Sequence, residues 1–233
     1  MKKQNHSAAG FSLVELLVGT VLFTIITGAV FSLLVSAQRR YRGESSVTEA
    51  FQQANVAIDQ IVRDVHSAGY PPKNSFGAAV SKAHPENYAL PFAWSPNYPG
   101  TPCTLGTAGN CVVPGNNDLI VEADTGSGVQ WIRYSLQNGT LMRGGALKVP
   151  GSDPVSSTDK SLVSYLENVI NPTSVPVFSY GFDNTTPPPP SQPPYIREVD
   201  ITLIVQSAER DPQTRQFRTI TLTGQATRFN PNQ

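Results

Sequence analysis

The sequence predicts an α+β protein, in which one long N-terminal α-helix packs on an antiparallel β-sheet head. Three observations carry that expectation. All twenty prolines lie at or beyond Pro71, so the first seventy residues lack the chief helix breaker. Within those residues an apolar run gives way to an amphipathic stripe of helical period. Beyond them, β-branched and aromatic segments alternate with Asn, Gly and Pro turn signals. The 233 residues suffice for one domain and an appendage. Seventeen basic residues balance seventeen acidic ones, so no bulk field favours nucleic acid, and none is expected as a partner.

The first element is membrane-like. A polar leader, Met1 to Ala9, carries Lys2, Lys3 and His6, and Phe11 to Ala37 then runs 27 residues with Glu15 as its one charge. As a helix this run is about 40 Å long, enough to cross a hydrocarbon core of about 30 Å. A secretory signal places its small-residue cleavage site after the apolar run. Here Ala8, Ala9 and Gly10 precede the run, so a cut at that point leaves the anchor on the mature chain. Lys2 and Lys3 compete with Arg39, Arg40 and Arg42 across the span, and charge counting therefore does not set orientation. Gly28 and Ser32 are the places where this half could loosen locally.

The helix continues past the apolar run. Val47, Phe51, Ala54, Ile58, Ile61 and Val65 recur at spacings of three and four, an apolar stripe suited to packing against the protein's own sheet. Glu44, Glu49, Asp59, Arg63 and Asp64 are expected on the opposite, solvated face. Gly69, Pro71 and Pro72 end the helix. The chain thus divides into a leader (1–10), a membrane-spanning helix (11–37), an amphipathic helix docked on the head (38–69) and a β-rich head with long loops (70–233).

The run Gly10-Phe11-Ser12-Leu13-Val14-Glu15-Leu16 resembles the class III signal of type IV pilins, pseudopilins and competence pseudopilins. The resemblance implies that prepilin peptidase cuts between Gly10 and Phe11 and methylates the new amine of Phe11. It also implies that Glu15 is the acidic residue such subunits keep in the membrane, paired on assembly with the Phe11 amine of a neighbour. Glu15 has a simpler use as well, since four residues into the helix a carboxylate can reach the headgroups and favours the helix dipole. The partners implied are other pilin or pseudopilin subunits, the peptidase and an inner-membrane assembly platform. The implied location is the bacterial inner membrane, crossed once, with a cytoplasmic leader and a periplasmic or extracellular head that joins a filament after assembly.

Residues 71–117 are rich in Pro, Gly, Asn, Ser and Ala and read as a loop region. Cys103 and Cys111 are expected to form a small structural disulfide in an exported head, worth about 2.5 kcal/mol in the chain-entropy account. Strands are expected over Asp118–Ala123, Val129–Leu136, Thr140–Arg143, Val175–Phe182, Ile196–Ser207 and Phe217–Arg228. Asn138-Gly139 should form a tight hairpin, and the pattern of Leu162–Val169 fits a strand or a helix equally. The segment 184–194, with four consecutive prolines, suggests an exposed polyproline-like excursion. This order is similar to the larger minor pilins and pseudopilins, the W-type of the pilus and the J-type of type II secretion. The mid-chain cysteines and the large head favour a minor, tip-associated subunit over a bulk filament protein.

An enzyme is not expected. Only His66 and His84 lie outside the leader, and no nucleophile elbow, metal-ligand cluster or phosphate-binding glycine loop is legible. No cofactor or metal is anticipated, and Asp118, Glu122 and Asp124 read as solvated strand-edge or turn carboxylates. The rival reading from another class is an uncleaved, membrane-tethered binding module.

Overall fold

A computed structural model of the chain describes residues 12–92, 115–182 and 196–229. Its dominant element is helix α1, Leu13–Ser67, 55 residues without a break and about 82 Å long. Gly28 and Ser32 do not interrupt it. Gly69, in the left-handed region at φ +80°, ends it, and its N–H donates to the Glu122 carbonyl at 2.8 Å. That bond ties the helix terminus to the first strand.

The two halves of α1 have different surroundings. From Leu13 to Leu34 the large apolar side chains are all at least half exposed. Burial begins at Gly43 and continues through Ser46, Ala50, Ala54, Ala57, Ile58, Ile61, Asp64 and Val65. The small residues on this face let the helix approach the sheet closely. At Gly224 the approach is so tight that an added Cβ would lie 2.4 Å from Ile58 Cγ2. The expected stripe needs two corrections. Phe51 is 47% exposed, because the seam runs through Ala50 and Ala54 and an aromatic there would hold the sheet away. Asp64, expected in solvent, is buried, because side chains of the head reach it.

Among the described residues the head holds two antiparallel sheets. The first is a meander of β1 (Asp118–Asp124), β2 (Val129–Gln137), β3 (Thr140–Leu147) and β4 (Val163–Leu166), in that spatial order. The Asn138-Gly139 loop joins β2 to β3 with both residues at positive φ, 50° and 79°, the two-residue hairpin geometry that asparagine and glycine favour. The second sheet is β5 (Phe178–Phe182), β6 (Ile196–Arg210) and β7 (Phe217–Thr227). A bridge between Val169 and Val205 links the sheets, with Ile170 N–H donating to Ile204 O at 2.8 Å and Gln206 N–H to Asn168 O at 2.9 Å. Leu162–Val169 thus contributes a four-residue strand and the connection between the sheets. A short helix α2 (Ala78–Ala83) lies in the loop region, and α3 (Pro154–Asp159) follows β3 with Asp153 as its N-cap.

The core lies between α1 and the inner faces of both sheets. Leu119, Val121 and Ala123 of β1 point into it, as do Ile201, Leu203 and Val205 of β6. The outer face of the first sheet is also covered, since Ile120 and Trp131 pack under Leu90, Ala146 and Val155. The central residues of β1 are therefore buried on both faces.

Candidate functional site

The N-terminal turn of α1 is closed by its own side chains. Ser12 is the N-cap, and its hydroxyl accepts from Val14 N–H at 3.3 Å while Glu15 accepts from Ser12 N–H at 2.9 Å. This capping box satisfies donors that a helix start leaves open. The Ser-x-x-Glu spacing that announces it is present in the sequence. Glu15 sits at the outermost end of an exposed apolar cylinder, long and apolar enough to cross a membrane by length and composition. The head buries none of that cylinder's most apolar stretch. Gly10 and Phe11 lie outside the described residues, as do Cys103 and Cys111 and the four prolines near 187–190.

At its other end the helix is fixed to the head by polar contacts in buried surroundings. Asp64 accepts from Tyr134 OH at 2.5 Å, from Arg143 Nη2 at 2.9 Å and from Gln60 Nε2 at 2.8 Å. Arg143 Nε in turn donates to the Tyr134 oxygen at 2.9 Å. Burial, reinforced by the Asp64 charge, pushes the Tyr134 hydroxyl well above the usual tyrosine range, so it stays a donor. Burial opposes the charge on Arg143, but Tyr134 and Asp64 outweigh it and hold the guanidinium firmly protonated. One carboxylate of the helix thereby engages two strands of the first sheet.

A second buried pair secures the loop over the outer face. Glu122 and Lys148 are in contact at 2.8 Å with essentially no exposure. Glu122 also accepts from Trp131 Nε1 and from Leu90 N–H, both at 2.8 Å, and Lys148 donates to Tyr88 O at 2.8 Å. Burial lowers the Lys148 pKa, and the Glu122 charge restores part of it. The solvated role expected for Glu122 is thus overturned. Residues 88–90 and Lys148 cover the face of β1 on which it lies. Asp118 differs, since it is partly exposed and grips Arg133 at 2.7 Å.

Asp64, Glu122 and Asp118 are each committed to a structural partner. Among the described residues, no group of three or more His, Cys, Asp and Glu is placed to hold a metal ion.

Residues 5–31 match the prokaryotic N-terminal methylation motif. No curated protein and no solved structure matches the chain. The matched segment contains Gly10, Phe11 and Glu15 and runs to Phe31 in the exposed half of α1. It supports a type IV pilin-like prepilin, a substrate of prepilin peptidase anchored by a single apolar helix. Such a motif indicates a structural subunit that assembles with other pilin subunits, rather than an enzyme.

Proposed function

We propose that the chain is a minor pilin or pseudopilin, of the W-type or J-type group, that joins a type IV pilus or a related secretion or DNA-uptake filament near its tip. Prepilin peptidase cuts between Gly10 and Phe11 in the inner membrane and methylates the Phe11 amine, and the head lies on the far side. The observation that carries the reading is the methylation motif lying on a helix whose apolar half the head leaves uncovered. In the membrane that half is a span, and in a filament it becomes the surface that neighbouring helices bury. The mid-chain Cys103 and Cys111, proposed to form a disulfide, and the large head with its two sheets support a minor subunit.

Glu15 is the assembly residue in this account. In the single chain its carboxylate is occupied by its own helix start. Buried among packed helices it needs a cation, and the Phe11 amine of a neighbour supplies one. Glu15→Ala should leave export and cleavage intact and reduce the variant's share in sheared filaments. Normal incorporation of that variant would refute the pairing.

A further inference from the structure

At the boundary between the apolar half of α1 and the head, the turn between β6 and β7 folds back against the helix. Pro212 lies 3.1 Å from where a Cβ on Gly43 would sit. A cleft at this junction is lined by Arg39 and Arg40 of the helix and by Pro212 and Gln213 of the turn. Leu13 to Gln38 covers about 39 Å as a helix. That exceeds a hydrocarbon core of about 30 Å, so Arg39, Arg40 and Arg42 stand at headgroup level. The turn adds Arg210, Arg215 and Arg218, and Arg218 lines a cleft with Arg40 and Gly43 of the helix. Three carboxylates share this end, Glu44, Glu209 and Asp211.

The carboxylates do not cancel the field. Asp211 is taken up internally, accepting from Gln213 N–H at 2.8 Å, Thr214 N–H at 3.0 Å and the Arg218 guanidinium. Those backbone bonds, and then Arg218, hold its pKa down at about 2. Five arginines then face Glu44 and Glu209. All five are exposed, and Arg210 lies 4.9 Å over the Phe217 ring. Arg215 is held at φ +59°, a left-handed conformation that favours glycine or asparagine. The turn presents a long cationic side chain there at a conformational cost. Tyr41, 74% exposed beside the arginines, is the kind of amphipathic ring enriched at membrane interfaces.

The geometry points to a basic collar, formed jointly by α1 and the β6–β7 turn, that binds the phosphate headgroups of anionic phospholipids in the leaflet next to the head. It seats the head on the membrane while the chain is unassembled. This inference rests on the reading that the apolar half of α1 spans a membrane.

The test uses the full chain in lipid nanodiscs of phosphatidylcholine alone or with phosphatidylglycerol, with amide hydrogen exchange read over residues 209–218. Each arginine at an anionic surface contributes about fivefold in affinity, so the two exposed ones of the turn, Arg210 and Arg215, should together slow its exchange in the anionic discs by up to about 25-fold. The slowing should vanish in 0.5 M NaCl, where the screening length falls to about 4 Å. It should also vanish in Arg210→Gln/Arg215→Gln, whose side chains hold no part of the turn's backbone bonding. Equal exchange in both lipids, protection that survives the double substitution, or protection by inorganic phosphate in phosphatidylcholine discs would each overturn the collar while leaving the span intact. A chain that never enters the discs would overturn both.

Discussion

Removing the Asp64 carboxylate should loosen the helix from the head by a calculable amount. In Asp64→Ala the Tyr134 hydroxyl loses its acceptor, and its residue is fully buried. An unsatisfied buried donor costs about 1–3 kcal/mol. The Arg143 side chain is 31% exposed, so it regains water and adds no more than about 1 kcal/mol. The expected loss is therefore about 1–4 kcal/mol. Guanidinium unfolding of the full chain in detergent micelles, followed by emission of the buried Trp131, reads the change. Tyr134→Phe removes the stranded hydroxyl, so the double variant should lose less than the two single losses combined, with a coupling of about 1–2 kcal/mol. An unchanged midpoint in Asp64→Ala, or a coupling of zero, would show that the contact does not hold the helix.

Two further perturbations test the packing and the titration. Gly224→Ala should cost about 1–3 kcal/mol through overpacking against Ile58, and Ile58→Ala in the same chain should recover part of it; equal stability of Gly224→Ala and the parent would contradict the close approach. Burial, with the Asp118 charge, also raises Tyr180, whose hydroxyl donates to Gly115 O at 3.0 Å. Tyr134 and Tyr180 then keep their protons in the fold at pH values where the unfolded chain loses them. Their stabilisation is full below about pH 10. Above that it falls by up to about 1.4 kcal/mol per pH unit per tyrosine. Tyr134→Phe/Tyr180→Phe should flatten the alkaline limb of a stability profile, and a limb of unchanged slope would contradict the assignment.

Most of the architecture was legible locally. The absence of proline before Pro71 and the Asn138-Gly139 pair are short-range signals, and the helix and hairpin follow from them. The alternation through Val199, Ile201, Leu203 and Val205 likewise marks β6, since one face of that strand meets the core. What escaped depends on distant partners. Asp64 is buried because Tyr134 and Arg143, 70 and 79 residues away, supply donors, and no local pattern around Asp64 encodes them. Glu122 reads as a strand-edge acid until Leu90, Trp131 and Lys148 converge on it. Phe51 was misassigned for a different reason. An apolar stripe favours large residues, whereas this seam is set by Ala50, Ala54 and Gly224. At the N-terminus the Ser12–Glu15 capping box was present in the sequence, and the same four residues form part of the methylation motif.

The central claim is that this chain is a processed filament subunit, and the mass of its mature N-terminus tests it most directly. Intact-mass and peptide mass spectrometry of the membrane-extracted protein should find a chain beginning at Phe11 with one methyl group on its amine. A chain that begins at unmodified Met1 would contradict the account and leave a plain membrane-tethered module.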